Sequence, residues 1–135
     1  MRDNLKIRSN QHGVELELEM LSRGEEENRY LASIRSHMCT GQTEATTYIY
    51  GPPTKFFDDL AANWHGWKGE KKWAEIESRL QFTATMDNLG HVILIVLMRE
   101  LVEPFSVSAP LYFDAGQLEG LAAEIREFFA VQDLV

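Results

Sequence analysis

Four histidines, one cysteine and a few close sets of carboxylates are the side chains of this 135-residue chain that could do chemistry, and their spacing decides which chemistry that would be. His12, His37, His65 and His91 never fall three or four residues apart, so the helical histidine pair of a zinc hydrolase is absent. Cys39 and His37 stand two apart on a strand pattern and point the same way, as a thiolate and its base would, but they lie beside a turn with no acid to orient the base. Glu15, Glu17 and Glu19 alternate with apolar residues. Side chains two apart on a strand are separated by roughly 7 Å, too far to share an ion. Asp58 and Asp59 resemble a carboxylate pair, yet neighbours on a helix diverge by about 100° and do not face each other, so both are read as a solvated helix start. Neither a phosphate-binding loop with its lysine nor a glycine-rich dinucleotide fingerprint occurs. The sequence assigns no catalytic residue, no metal ligand and no cofactor.

Aromatic chemistry is concentrated instead. Trp64, Trp67 and Trp73, all the tryptophans of the chain, fall in the stretch WHGWKGEKKW. An indole buries roughly 150–250 Å², so three together either seal a helix against a sheet or form a platform for something else. The seal is the preferred reading, with Trp64 on the apolar stripe of the preceding helix. The platform reading makes Trp64, Trp67 and Trp73, with His65 and His91, the lining of a small-molecule pocket, in a binder or an enzyme.

The elements that must position these residues follow from periodicity. Leu5 and Ile7 mark a first strand. Val14, Leu16, Leu18 and Met20 alternate with the three glutamates, giving a second strand with its carboxylates in water. Residues 30–38 and 43–50 predict a hairpin about a Cys39-Thr40-Gly41 turn. Gly51-Pro52-Pro53 ends that sheet segment and starts a helix with Phe56, Phe57, Leu60, Ala61 and Trp64 on one stripe, which Gly66 stops. Leu80 to Met86, the turn Asp87-Asn88-Leu89-Gly90 and Val92 to Met98 form the clearest hairpin. Because residues 92–98 are apolar at every position, that strand is expected to be covered on both faces. Phe105 to Phe113 alternates, and Pro110 suits an edge strand. Asp114 with Gln117 is a capping box opening a final helix, with Leu118, Leu121, Ala122 and Ile125 inward and Glu119, Glu124 and Glu127 outward. The predicted fold is a single α+β domain over residues 1–135: a largely antiparallel sheet of about seven strands with two helices packed on one face.

Of the net charge of −8, residues 81–135 supply −6, from two basic and eight acidic side chains. Such a field repels phosphate and disfavours nucleic acid, while it permits a basic protein partner, for which Glu119, Glu124 and Glu127 are the natural contacts. The longest apolar run, Val92 to Met98, is far short of the ~20 residues of a membrane helix. A single cysteine and a polar, mixed-charge start without a leader pattern make the cytoplasm the expected compartment. The oligomeric state is left open.

Three segments, DDLAANWHGWKGEKKW, LQFTATMDNLGHVILIVLM and LYFDAGQLEGLAAEI, resemble a family of small bacterial proteins known only as a domain of unknown function. Its marks are W-x-G-W-x-G with a further tryptophan, D-x-x-G-H-V, and D-x-x-Q-L. The likeness spans roughly residues 53–130, with Phe105 where many relatives are expected to carry tryptophan. It implies one fold for these segments and no activity. Small size, acidic charge and the lack of a catalytic constellation lead to a non-enzymatic interaction module that blocks a basic partner in the manner of an immunity protein. The alternative is the tryptophan-lined pocket.

Overall fold

The structure, a computed structural model, describes residues 3–130. Eight strands form two four-stranded antiparallel sheets, each a meander of consecutive strands. The first contains β1 (Asn4–Arg8), β2 (Glu15–Arg23), β3 (Asn28–Arg35) and β4 (Thr40–Thr46); the second contains β5 (Lys71–Ala74), β6 (Leu80–Met86), β7 (His91–Arg99) and β8 (Ser106–Asp114). Helix α1 (Thr54–Ala62) joins the sheets and α2 (Leu118–Phe128) follows β8. The single seven-stranded sheet is therefore corrected. The extra strand is β5, whose Trp73 pairs with Phe82 in a stretch where charge hides any alternation. The split follows from α1, which takes the chain away from β4 before β5 begins.

One apolar core joins the sheets to the helices. On α1, Phe56 and Phe57 pack on Phe82 of β6 with ring centroids 6.0 and 5.4 Å apart. On the α2 side, Phe129 meets Tyr30 of β3 edge-on at 5.1 Å. Helix α1 thus covers the second sheet and α2 the first, and the helices pack on each other. Asp58 binds Arg126 of α2, and Asp59 pairs with Lys71 of β5 at 2.7 Å. Neither aspartate stands in the first turn of α1, so their role is to tie the helix to its neighbours, not to complement its dipole.

Strand β8 crosses the hairpin ends of the first sheet. Val107 lies against Gly41 of β4, while Tyr112 donates its N–H to Ser9 Oγ and accepts from the Asn10 N–H, both at 2.8 Å. Roughly 17 Å of extended chain separates Val107 from Tyr112, and three strand spacings span about 14 Å, so β8 runs across β1–β4. Pro110 lies on this edge strand, where no ladder donor is lost.

Two burial expectations are corrected. Val92, Leu94, Val96 and Met98 are buried, but Ile93, Ile95 and Leu97 turn to the other face of β7, where Ile95 is 42% exposed. Among the glutamates of β2, Glu17 is buried. Asn4 donates to its carboxylate at 2.6 Å and Arg35 at 2.9 Å. The Asn4 hydrogen bond, followed by the Arg35 contact, holds this carboxyl below the usual range against the opposing effect of burial.

Candidate functional site

The tryptophan segment divides between core and surface. Trp73 is half-buried and stacks on Phe82 with centroids 5.3 Å apart; Trp67 is half-buried and donates its indole N–H to the Ala84 carbonyl at 3.3 Å. Both pack against the core on the second sheet, beside Phe82, on which α1 also rests. Trp64 is 62% exposed, which corrects its place on the buried stripe. Helix α1 ends at Ala62, so the last turn before Gly66 no longer follows the helical period. His65, also exposed, meets the Trp64 ring edge-on at 5.8 Å. His91 opens β7 just after the β6–β7 turn, its Nδ1 2.9 Å from Asp87 Oδ2. None of these five residues lines any of the three cavities described below.

On α2, Glu119 and Glu127 are exposed, and Glu124 is half-buried in a cavity of about 300 Å³ with Lys6 and Arg8. A second cavity, about 490 Å³, lies between the acidic 24–27 loop and the end of α2, where Arg23 donates to the Phe128 carbonyl at 3.1 Å.

The third cavity, about 310 Å³, opens on the seam between the sheets, and sequence reasoning missed it. Its floor holds Glu75, a carboxylate that is buried yet fully engaged. Oε1 accepts from the Glu77 and Arg79 N–H groups at 2.9 and 3.2 Å, and Oε2 accepts from the Thr46 N–H at 3.1 Å. One side chain thus closes the β5–β6 turn and fastens it to the end of β4. The rim carries Glu27, bonded to Thr46 Oγ1, Glu44, paired with Arg29 at 2.7 Å, and Glu77 near Arg79 at 3.7 Å.

Tyr48 lines the same cavity and begins the segment that leads to α1. The expected strand 43–50 ends at Thr46, and Tyr48–Ile49–Tyr50 form an exposed turn instead. The Tyr50 N–H donates to the Tyr48 carbonyl at 2.7 Å and Ile49 has φ +61°, the rare, strained form of γ-turn. A β-branched residue in the left-handed region is an outlier. The surrounding bonds impose it: the Gly51 N–H reaches the Thr47 carbonyl, the Tyr48 N–H reaches Thr46 Oγ1, and Asn28 donates to Thr47 Oγ1, at 2.9, 3.1 and 2.8 Å. Three apolar side chains of high strand propensity hid this turn in the sequence; only the approaching prolines pointed to a break.

The three segments that carry the resemblance each do a local structural job. In W-x-G-W-x-G, Gly66 and Gly69 have φ +128° and +73°, a region that side chains resist. In D-x-x-G-H-V, Asp87 Oδ1 accepts the Leu89 and His91 N–H groups, both at 2.9 Å, and closes the hairpin. In D-x-x-Q-L, Asp114 and Gln117 form the reciprocal capping box, with the Asp114 N–H to Gln117 Oε1 at 2.8 Å, before buried Leu118. Here a 3-10 turn (Ala115–Gln117) precedes α2.

Among the described residues, no three or more His, Cys, Asp or Glu side chains are grouped to hold a metal ion, and no helix is long and apolar enough to cross a membrane. No curated protein and no solved structure matches the chain. A family does match, over residues 7–132, and this span takes in the first sheet as well as the motif-bearing half: the chain belongs to the family of unknown function DUF6228.

Proposed function

We propose that this chain is a protein-interaction module that engages a basic partner through the β4–α1 turn and the acidic rim of the seam cavity. The observation that carries the reading is the Tyr48–Ile49–Tyr50 turn, in which consecutive large apolar side chains stand exposed, Ile49 at 71%, in a strained backbone held by its neighbours. Strain of this kind costs roughly 1–3 kcal/mol and persists where the surroundings over-determine it, which is common at binding sites. Tyrosine supplies contact area at low entropic cost, and a turn already fixed loses little further freedom on binding. Glu27, Glu44 and Glu77 beside it outnumber Arg29 and Arg79, with which two of them pair, and in a chain of net charge −8 the remaining negative charge favours a basic surface at the site. Blocking that partner, as an immunity protein does, is the form of binding that small size and acidic charge suit.

The test is capture from extract of the source cell on immobilised wild type, Ile49→Asp and Glu77→Lys chains, at about 0.05 and 0.5 M salt, where screening differs severalfold. Wild type is expected to retain a basic protein at the lower salt, with both variants and the higher salt releasing it. Equal capture by all three chains, or capture only of acidic proteins, would sink the proposal.

A further inference from the structure

We propose that what enters this site is an extended, basic segment of the partner, with an arginine in the seam cavity and a large apolar side chain two residues away in the second cavity. The inference rests on the reading of the β4–α1 turn as a binding site and gives the partner a chemistry. The two cavities are neighbours: Glu27 lines both, and the consecutive residues Thr46 and Thr47 line one each. Their volumes, about 310 and 490 Å³, fall in the range of roughly 300–1,000 Å³ that holds small ligands. Each admits a side chain. Neither admits a helix, which is about 10–12 Å across. Alternate side chains of an extended chain lie on one face roughly 7 Å apart, so two of them can enter cavities that a single glutamate divides.

Charge selects the segment. Six glutamates and three arginines line the two cavities. The arginines are engaged within the chain, Arg29 by Glu44 at 2.7 Å, Arg79 by Glu77 at 3.7 Å and Arg23 by the Phe128 carbonyl at 3.1 Å. The surplus is negative, and its complement is a cation. In the seam cavity Tyr48 stands exposed among these carboxylates. A guanidinium can lie on the phenol ring while its planar fork of N–H donors meets a carboxylate, a geometry that a lysine ammonium lacks. The second cavity has a different wall, in which Pro52, Ala130 and the buried Phe129 join the acidic 24–27 loop. Its apolar part takes the apolar side chain, and the loop carboxylates remain for cationic neighbours in the segment.

Nuclear magnetic resonance titration of the isotope-labelled full chain tests this, with short end-capped serine–glycine peptides that carry one arginine and one phenylalanine at alternate positions. The amides of Glu27, Thr46 and Thr47 are expected to shift together, with a Kd on the order of 0.1–1 mM. Replacing either side chain of the peptide by serine should weaken binding by on the order of tenfold, the loss of one modest contact. Making the two adjacent should do the same, because neighbours on an extended chain point to opposite faces. Glu77→Gln, an exposed change at the seam cavity alone, should weaken the arginine peptide and leave the phenylalanine-only peptide unaffected. Amides away from the site, unshifted between wild type and variant, verify that the fold is kept. No shift at the three amides up to about 10 mM peptide, or equal binding of the alternating and adjacent peptides, overturns the proposal. Its failure is separate from that of the basic-partner reading. A protein captured in a manner sensitive to Ile49→Asp and Glu77→Lys, none of whose unfolded fragments shifts these amides, leaves that reading standing and refutes the segment.

Discussion

Tyr30 is the residue whose chemistry is least settled by its surroundings. It is fully buried in the first sheet, and its hydroxyl has no hydrogen-bond partner among the described residues. Burial, reinforced by the nearby Glu75 charge, drives the phenol far above its usual range. An unpaired buried hydroxyl costs about 1–3 kcal/mol, so Tyr30→Phe, which keeps the ring against Phe129, should stabilise the chain by about 1 kcal/mol. A urea midpoint that falls would show that the hydroxyl has a partner. The sign of the pH effect follows from the shift. A folded pKa raised above the unfolded value of about 10 stabilises the fold fully below pH 10 and loses that contribution as pH climbs toward the folded pKa. Wild type should therefore lose stability above pH 10 more steeply than Tyr30→Phe, which equilibrium unfolding at pH 8 and pH 11 measures.

The β5–β6 turn depends on one carboxylate. Glu75→Ala leaves the Thr46, Glu77 and Arg79 N–H groups without their acceptor, and hydrogen bonds to a charged group contribute about 1.5–3 kcal/mol each without adding fully. A loss of about 3 kcal/mol or more is expected in denaturant unfolding; a loss under about 1 kcal/mol would mean that another group takes over these donors. Elements written in periodicity were legible in advance: the β6–β7 hairpin, both helices and the Asp114–Gln117 box stand where alternation and capping place them. Elements held by long-range contacts were not. Nothing near Glu75 in the chain announces Thr46, and Trp64 keeps a helical spacing from Leu60 although the helix has already ended. Strand β7 was expected to be covered on both faces because every position is apolar, but Ile93, Ile95 and Leu97 lie on its outer side and Ile95 is exposed. The candidate site fared worse than the fold, because a turn of Tyr-Ile-Tyr carries the composition of a strand and its geometry comes from Asn28 and Thr46.

At the scale of the molecule, the two sheets meet through small, specific contacts as well as the shared core. A Cβ on Gly41 would fall 2.8 Å from Val107 Cγ2 and 3.2 Å from its Cβ. The branched neighbour can give little, and overpacking of this kind costs about 1–3 kcal/mol. Gly41→Ala should lower the unfolding midpoint by that amount, and Gly41→Ala combined with Val107→Ala should recover part of it; a double variant no better than the sum of the two single ones would place the strain elsewhere. The order of the strands has a kinetic meaning too. Within each sheet every strand pairs with its neighbour in the chain, so each meander can form from short loops whose closure is entropically cheap, and chains dominated by local pairings fold fast. The slow events are then the distant ones: Tyr112 reaching Ser9, and Phe129 reaching Tyr30. On the ribosome the first sheet emerges whole while α2 is still unmade, and it must wait, with the inner faces of Leu16, Leu18 and Tyr30 uncovered, for the last helix of the chain to arrive.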